Sequence, residues 1–175
     1  MTATPDGRWG PGEGRIGPLA PEHAGEVLTV QRAAYLVEAQ RYATLLISPL
    51  VETLEQVRAD IAAPEVLTLG AWWGHRLVGS VRGRVAGESM EVSRLAVAPD
   101  MQGRGVGRAL LAAVESAAPP VVRTVWLVTG HRSENNIRLY QRAGYRGVGT
   151  TTDPAGVLLL RMEKPLHRSS TTAPR

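Results

Sequence analysis

The hydrophobic residues between positions 21 and 64 recur with the period of an α-helix. A first helix is predicted from Pro21, and its apolar stripe consists of Val27, Val30, Ala34 and Val37. Ser48 followed by Pro49 is typical of an N-cap and a first helical turn, so a second helix is predicted from there to Pro64. The apolar positions of the second helix are Leu50, Leu54, Val57 and Ile61.

Further along the chain the hydrophobic period changes to the alternation of β-strands. Residues 66–97 are predicted to form an antiparallel meander of three strands. The segment 121–128 is apolar on both faces, as expected of a buried central strand that a parallel crossover connects to the strand ending at Val97. With a first strand at 15–19, a helix at 134–144 and two final strands, the predicted order is β-α-α-β-β-β-α-β-α-β-β.

The composition fits one globular domain. The chain has 175 residues, 43% of them hydrophobic, which is enough for a single core, and we expect one domain over residues 15–164. Residues 1–14 and 165–175 are rich in Gly, Pro, Ser and Thr and are predicted to be flexible tails.

The sequence has no export-signal pattern and no apolar run of the roughly 20 residues that span a membrane. We therefore expect a cytoplasmic protein without a membrane partner.

The residue types present exclude several kinds of chemistry. There is no cysteine, which removes disulfides, thiolate metal ligands and thiol nucleophiles, and the four histidines are scattered. We therefore predict no metal. The net charge is +4, but the arginines are dispersed and no basic run is interleaved with aromatic residues. A nucleic-acid partner is not expected.

A glycine-rich stretch, MQGRGVGRALL at residues 101–111, places Gly103, Gly105 and Gly107 between the end of a strand and the start of a helix. The first N–H groups of a helix have no internal partner and lie at the positive end of its dipole, so they can bind an anion. The spacing matches neither a Walker loop nor a dinucleotide fingerprint. The glycines alone fit both a phosphate site and an ordinary tight turn.

Two motifs add to this picture. The segment RLAVAPDMQGRGVGRALLAAVE, residues 94–115, resembles the acetyl-CoA-binding motif of the GNAT superfamily of N-acetyltransferases. The family signature Gln/Arg-x-x-Gly-x-Gly/Ala is met by Gln102, Gly105 and Gly107. The segment SENNIRLYQRAGY, residues 133–145, resembles the second family motif, a helix that packs beside the cofactor. Both motifs occur in the family's order, separated by one strand.

The resemblance covers residues 15–163 and implies a fold and a reaction. The implied fold class is α/β (α+β), a mixed and mostly antiparallel central sheet of about seven strands with about four helices, whose parallel central pair splays apart. The implied reaction is direct transfer of an acetyl group from acetyl-CoA to a primary amine in a ternary complex. An acyl group larger than acetyl and a catalytically inactive CoA-binding sensor are the alternatives.

The resemblance also implies a cofactor site. Main-chain N–H groups of the loop 102–107 would cradle the CoA pyrophosphate, and the pantetheine arm would pair with the strand that ends at Val97. The cofactor-binding residues implied are Leu95, Ala96, Val97, Gln102, Gly103, Arg104, Gly105, Val106, Gly107 and Arg108. The N–H of Leu95 would polarise the thioester carbonyl. Asn136 is expected to bind the pantetheine, although the commoner Asn position of the family falls here on Ser133.

The implied reaction includes two proton transfers, and each needs a candidate residue. An alkylamine with a pKa of about 10.4 is neutral only about once in 2500 molecules at pH 7, so a base must take its proton, and an acid must protonate the departing thiolate. Glu91, on the strand that ends at Val97, matches the general base of several family members, although a half-exposed strand glutamate would look the same. Tyr140 matches the tyrosine that protonates the departing thiolate, although its spacing from Ile137 also fits a core residue. His131 is an alternative base or a solvated loop residue.

In this superfamily the first two helices and their connection usually form one wall of the acceptor site, which corresponds here to residues 21–65. That segment has seven acidic and three basic side chains, a net charge of −4, whereas the remainder carries +8. We therefore expect a small cationic amine as acceptor, with Glu38 as a charged contact and Tyr35 and Tyr42 as flat walls. A protein terminus or side chain is the alternative acceptor, and a homodimer is possible.

Overall fold

The central sheet has seven strands in the part of the chain that the computed structural model describes, Trp9 and residues 14–166. The strands are β1 (Gly14–Pro18), β2 (Val66–Trp73), β3 (Arg76–Ala86), β4 (Ser89–Val97), β5 (Thr124–Gly130), β6 (Arg146–Thr152) and β7 (Leu158–Pro165). The helices are α1 (Ala24–Tyr42), α2 (Ser48–Val51), α3 (Leu54–Ala62), α4 (Val106–Ala117) and α5 (Glu134–Arg142). None of the helices in these residues has the length and hydrophobicity of a membrane-spanning segment.

The strands lie in the order β1-β2-β3-β4-β5-β7-β6. All neighbouring strands are antiparallel except β4 and β5, which are parallel and are connected by α4. The predicted mixed, mostly antiparallel sheet, its strand number and its parallel central pair are therefore confirmed. The helices of the described residues number five rather than about four.

The fifth helix is present because the segment predicted as one helix from Ser48 to Pro64 forms two helices, α2 and α3. The apolar spacing predicts a single helix from Ser48 to Pro64, but the chain leaves the helical conformation at Glu52 and starts again as α3. Thr53 caps this new start: its hydroxyl accepts the Gln56 N–H at 3.2 Å, and its own N–H donates to the Gln56 side chain at 2.8 Å. The prediction of one continuous helix is wrong, and the break directs the Glu52 side chain into the interior.

Helix α1 buries its apolar stripe against the sheet mainly in its first half. Val27 and Val30 are buried, as the stripe predicts, whereas Ala34 is half-buried and Val37 is 49% exposed. The prediction of Val37 as a core position is wrong because the last turns of α1 pass beyond the packed core and line a cleft. Side chains from this end of α1 are therefore accessible to a ligand.

Helix α4 packs closely on β3, and glycines in the strand make the approach possible. A Cβ added at Gly79 would come within 2.9 Å of Leu110, and one added at Gly83 would come within 3.0 Å of Val114. Leu110, Leu111 and Val114 form the predicted apolar face of α4, and all three are buried. The opposite face of β3 carries Arg82, which points toward α3.

The predicted tails lie mostly outside the described residues. In the predicted N-terminal tail, Gly14 is the first residue of β1. The ring of Trp9, also in this tail, packs against Trp73 with centroids 6.2 Å apart. In the predicted C-terminal tail, Pro165 is the last residue of β7. The Leu166 N–H donates a main-chain hydrogen bond of 2.8 Å to the Arg123 carbonyl, just before β5. These described residues make contacts with the folded unit.

A buried ion cluster connects the α2–α3 segment to the sheet. The Arg82 guanidinium donates to both carboxylate oxygens of Glu52, at 2.7 and 2.9 Å, and to Asp60 at 2.6 Å. The buried Gln31 amide on α1 donates to Glu52 at 2.6 Å, and Arg94 of β4 reaches the same carboxylate at 3.4 Å. One carboxylate therefore joins α1, the α2–α3 segment, β3 and β4.

The ionisation of Glu52 contributes to stability. Burial alone would raise the pKa of Glu52, but hydrogen bonds from Arg82 and Gln31 and the charges of Arg82 and Arg94 outweigh burial and hold this pKa below its ordinary value of 4.5. Because the pKa is lower in the folded chain, the carboxylate stabilises the fold above pH 4.5, and this contribution is lost as the pH falls through the folded pKa. Acid therefore weakens the attachment of α2 and α3 to the sheet.

Replacing Arg82 by Met is expected to lower the free energy of unfolding by about 3–5 kcal/mol, because it leaves Glu52 charged and poorly compensated in the interior. Arg84→Met is the matched control: Arg84 lies on the same strand and pairs with Asp60 at 2.7 Å, but its side chain is 43% exposed, so the expected loss is about 1 kcal/mol or less. Urea denaturation at neutral pH measures both. Equal losses would contradict a central role for Arg82.

Candidate active site

The parallel strands β4 and β5 stay paired over only three residues. Their ladder joins Ser89–Glu91 to Thr124–Trp126, and beyond it β4 runs to Val97 and β5 to Gly130 without pairing to each other. A cleft opens between the separated halves of the strands. The predicted splay of the central pair is confirmed.

The cleft has two connected parts. The loop part runs toward the glycine-rich stretch and is lined by Val97 and Gln102. The inner part, a cavity of about 160 Å³, runs toward the α1–α2 connection and the β6–β7 turn and is lined by Glu91 and Asp153. The side chains that line both parts, at what we call the junction, are Tyr35, Glu38, Leu95, Asn136 and Tyr140.

A β-bulge in β4 lies where the cleft opens. Residues 80–82 of β3 pair with residues 93–96 of β4, so β4 has one extra residue at this step. Arg94 adopts a φ of +53°, which is uncommon for a residue other than glycine, and its Nε lies 3.4 Å from the Glu52 carboxylate. The buried ion cluster therefore holds the bulge that precedes Leu95.

The glycine-rich loop lies at the mouth of the loop part. Gly103 and Gly105 have φ values of +75° and +90°, so the backbone itself favours glycine at both positions. Gly107 has a different constraint: a Cβ there would lie 3.6 Å from Val97 and 3.8 Å from Leu139, so a larger side chain would enter the space between β4 and α5. The loop thus presents bare main chain at the positive end of α4, as a bound pyrophosphate requires.

The other predicted cofactor residues surround this loop. Gln102 is exposed, and its amide donates to the last carbonyl of β4 at 3.1 Å. Ala96 and Val106 are buried, so only their main-chain groups are available to a ligand. Arg104 and Arg108 are exposed at the surface around the loop.

Two further arginines near the loop were missed by the sequence analysis. Arg138 and Arg142 of α5 line a groove together with Arg108 of α4. Their spacing of four residues places them on one face of a helix, which the sequence does show. That this face turns toward Arg108 depends on the packing of α5 beside α4. The groove adds positive charge next to the predicted pyrophosphate site.

Tyr140 lies at the junction, and its ring packs edge-on against Tyr145 with centroids 5.9 Å apart. Tyr145 donates to Glu115 of α4 at 2.7 Å, and Lys164 of β7 donates to the same carboxylate at 2.6 Å, which supports the ring from behind. Burial raises the pKa of the Tyr140 hydroxyl well above its ordinary value, and the charge of Glu38 adds to this. The hydroxyl therefore stays protonated at physiological pH, as a proton donor must.

Glu91 lies where β4 and β5 separate. It is the last residue of β4 that pairs with β5, opposite Trp126, and its half-buried side chain lines the inner part of the cleft. Among the described residues no group forms an ion pair or hydrogen bond with the Glu91 carboxylate. An unpaired carboxylate in a cleft is available to accept a proton from a bound amine.

The end of α1 forms the wall that faces β4. The Tyr35 hydroxyl donates to the Leu95 carbonyl at 3.3 Å, beside the bulge. Glu38 is ion-paired with Arg41 and accepts a hydrogen bond from the Ser133 hydroxyl at the start of α5. Ser133 therefore links α5 to α1, a role that the sequence analysis did not foresee.

Tyr42, the last residue of α1, contacts the loop between β5 and α5. Its hydroxyl accepts the Arg132 N–H at 2.8 Å, and its ring lies 5.9 Å from that of His131. Gly130 makes this contact possible, because a Cβ there would overlap the Tyr42 hydroxyl and lie 2.6 Å from Ser133 Oγ. Tyr42 lines the inner part, whereas His131 is exposed and lines neither part of the cleft.

Two of the three carboxylates that line the cleft lie outside the acidic segment 21–65. Of the seven carboxylates in the acidic N-terminal segment, Glu38 alone lines the cleft, since Glu52 and Asp60 are bound in the ion cluster. Glu91 and Asp153 line the inner part as well. The sequence DPAG at residues 153–156 predicts the β6–β7 turn, but it does not show that this turn brings Asp153 to the cleft. In residues 14–166 no group of acidic and histidine side chains is placed to hold a metal ion.

The comparisons with known proteins agree on one family. Residues 30–166 match the model of the acetyltransferase (GNAT) domain, and no curated protein matches the chain. The chain is similar to PaiA N-acetyltransferase from Thermoplasma acidophilum, solved with coenzyme A, with a TM-score of 0.72 and 18% identity over 89% of this chain and 100% of that one. For spermidine N-acetyltransferase from Vibrio cholerae, solved with CoA and spermine, the TM-score is 0.68 at 13% identity, with coverage of 87% and 95%.

A third similar structure is the ribosomal-protein-S18-alanine N-acetyltransferase from Escherichia coli, with a TM-score of 0.71 and 17% identity over 93% of this chain and 99% of that one. The matched model is that of an N-acetyltransferase family whose acetyl donor is acetyl-CoA. The family match spans most of the sequence, and the chain belongs to the GNAT acetyltransferase family. At identities of 13–18% the similar structures share the fold alone.

Gly105→Ala is expected to weaken acetyl-CoA binding roughly tenfold, because alanine is strained at a φ of +90° and the loop must move to relieve the strain. An added Cβ lies no closer than 3.8 Å to another residue, so the fold is retained. Gly25→Ala on α1 is the control, since a Cβ there meets nothing within 4 Å and alanine suits a helix. Calorimetric titration that gives equal affinities for both variants would show that the loop is an ordinary turn.

Proposed function

We propose that the chain acetylates the primary amine of a small cationic molecule by direct transfer, with acetyl-CoA and the amine bound in the cleft together. The observation that carries this proposal is the junction, where the loop part and the inner part meet between Leu95 and Tyr140. A donor bound along the loop part and an amine bound in the inner part would place their reacting atoms there. Holding two reactants in contact removes much of the entropic barrier.

The residues of the loop part fit a CoA donor. The left-handed glycines and the arginine groove suit a pyrophosphate and a nucleotide. The edge of β4 from Leu95 to Val97, which pairs with no strand on the cleft side, suits the extended pantetheine, with Asn136 facing it from α5. When bound, acetyl-CoA supplies an activated carbonyl and a thiolate leaving group. The Leu95 N–H, which follows the bulge, is the proposed donor to that carbonyl.

Glu91 and Tyr140 are the proposed proton carriers. Glu91 takes the proton of the incoming ammonium, directly or through a water molecule, because its carboxylate is unpaired among the described residues and lines the inner part. Tyr140 provides its hydroxyl proton to the departing sulfur, because it is buried at the junction and remains protonated. Glu91 would thus act from the inner part, and Tyr140 from the junction.

The inner part carries negative charge that favours a cationic acceptor. Glu91 and Asp153 line it, and within the described residues neither carboxylate has a cationic partner. Asp153 is held by the Val157 N–H, which donates to it at 2.8 Å. Arg94, the cation that lines the inner part, is already paired with Glu52. An amine with a second positive charge would therefore gain electrostatic attraction there.

The size of the inner part favours a small acceptor. Its volume is about 160 Å³, and the α1–α2 connection and the β6–β7 turn bound it on two sides. Among the similar structures, one is named for spermidine and another for a ribosomal protein alanine, so the fold alone does not choose between small and protein acceptors.

We also infer that residues 15–164, together with Gly14 and Pro165 at the ends of β1 and β7, belong to one acetyltransferase domain. A single sheet and one main hydrophobic cluster support this assignment. A cysteine-free chain is compatible with the reducing cytoplasm, where we propose that it acts.

Three amines with the same four-carbon chain test the acceptor: putrescine, n-butylamine and γ-aminobutyrate, which end in an ammonium, a methyl and a carboxylate group. We expect kcat/KM with acetyl-CoA to be roughly tenfold higher for putrescine than for n-butylamine and lowest for γ-aminobutyrate. The advantage of putrescine should shrink as salt is added. Release of free thiol measures all three rates.

Asp153→Asn is the matched variant for this panel, because it removes the charge and keeps an oxygen that can accept the Val157 N–H. It should reduce the preference for putrescine and leave the n-butylamine rate unchanged. A preference for γ-aminobutyrate, or turnover of peptide amines alone, would contradict a small cationic acceptor. Acetyl-CoA binding without turnover of any amine would indicate a sensor.

Substitutions of the proton carriers test the mechanism. Tyr140→Phe should lower kcat roughly 100-fold and leave acetyl-CoA affinity within about twofold of wild type. Glu91→Gln should lower kcat/KM most at low pH, because the variant depends on the fraction of free amine, which rises about tenfold with each pH unit. Rate profiles against pH and calorimetric titrations measure these effects.

Tyr145→Phe and Glu88→Gln are the matched controls. Tyr145 loses a hydrogen bond to Glu115 but does not line the cleft, so its variant should lose stability and keep kcat. Glu88 lies in the turn before β4 and pairs with Arg123 on the surface. If Tyr140→Phe and Glu91→Gln behave like these controls at every pH, the assigned roles are wrong.

A further inference from the structure

Trp9 contacts the glycine-rich loop from outside the cleft. Its main-chain N–H donates to the carbonyl of Arg104 at 2.8 Å. A Cβ built on Gly105 would lie 3.8 Å from the Trp9 Cβ, so the two residues are in van der Waals reach. A residue far from the loop in sequence is therefore bonded to its main chain.

The bond to Arg104 determines which way the next peptide N–H points. No peptide bond in the described residues is cis, and in a trans peptide the C=O and the following N–H point in opposite directions. Holding the Arg104 carbonyl toward Trp9 therefore directs the Gly105 N–H away from Trp9. Gly105 is the N-cap of α4, so this N–H belongs to the expected pyrophosphate donors.

The loop needs such a constraint because its backbone is otherwise free to turn. Gly103 and Gly105 flank the Arg104 residue, both adopt positive φ, and glycine reaches other conformations at little cost. A Cβ at Gly103 would meet nothing within 4 Å, so packing does not hold that side of the loop. Rotation of the peptide between Arg104 and Gly105 would turn the donor away from an anion.

We propose that Trp9 is a positioning residue, which orients the Gly105 amide for the pyrophosphate of the donor. The inference rests on the proposed function in one respect, the assignment of this loop to CoA. Trp9 itself touches no reacting atom; it acts through the main chain of Arg104.

The Trp9 side chain keeps its own main chain in place by packing. Its ring lies against Trp73 with centroids 6.2 Å apart, and a Cβ at Gly14 would come within 2.9 Å of the ring, so glycine at that position leaves room for it. The indole N–H is buried and finds no acceptor among the described residues. The ring is therefore held by shape, and phenylalanine should replace it where alanine cannot.

Binding measurements on the full chain distinguish this role from a general effect on folding. Trp9→Ala should raise the Kd of acetyl-CoA roughly tenfold in calorimetry, as expected for the loss of one hydrogen bond and its packing, and Trp9→Phe should stay within about twofold of wild type. Acetyl-pantetheine has no pyrophosphate, so its weak binding, followed by ligand-observed NMR, should be unchanged in both variants. Equal weakening of both donors, or an unchanged Kd of acetyl-CoA in Trp9→Ala, would overturn the proposal.

Limited trypsin digestion tests the same role without a cofactor. Cleavage after Arg104 should be faster in Trp9→Ala than in wild type or Trp9→Phe, because the loop is released. Cleavage after Arg123, an exposed arginine in another loop, should not change and is the internal control. Unchanged cleavage after Arg104 would overturn the proposal. Failure of the wild-type chain to bind acetyl-CoA would instead refute the proposed function, and the digestion would still decide the role of Trp9.

Discussion

The short pairing between β4 and β5 is the constraint on which the rest of the structure depends. Each strand has an antiparallel partner on its other side, β3 and β7, and after Glu91 and Trp126 it follows that partner rather than its parallel neighbour. Unpaired strand edges invite contacts with other extended chains. Here α1 and α5 line the opening, so the free edges face a cleft, where an extended ligand can form the missing main-chain hydrogen bonds.

The ion cluster explains how a strained residue persists beside this cleft. A left-handed conformation costs about 1–2 kcal/mol for a residue such as Arg94, so the surrounding contacts must hold it. Glu52 does so: Arg82 and Gln31 fix its carboxylate, and the carboxylate holds the Arg94 guanidinium. Glu52 also lies at the break between α2 and α3, next to the residues that border the inner part. One buried charge therefore couples the position of Leu95 to the wall of the inner part.

Much of the fold could be predicted because periodicity records which face of each element is buried. In the sequence, the doubly apolar β5 and the strand-glycine-helix order identify the central strand and the loop. Apolar spacing failed at Thr53, where a capping box interrupts it. Counting the charges of residues 21–65 did not show that Glu52 is paired inside the fold. Its partners Arg82 and Arg94 lie 30 and 42 residues further along the chain, and sequence spacing does not reveal such pairs. The roles of Ser133 and Asp153 likewise depend on contacts between elements.

Positive charge lies beside the loop end of the cleft, and negative charge lines its inner end. Arg108, Arg138 and Arg142 lie near the loop end, whereas Glu91 and Asp153 line the inner end. The junction between them is partly walled by Tyr35 and Tyr140, whose burial raises the pKa of both hydroxyls and keeps them neutral. An anionic donor and the proposed cationic acceptor would each be attracted to one end and disfavoured at the other. Electrostatics would therefore orient both molecules before they meet at the junction, where the weakly solvated surroundings strengthen every hydrogen bond made to the reacting groups.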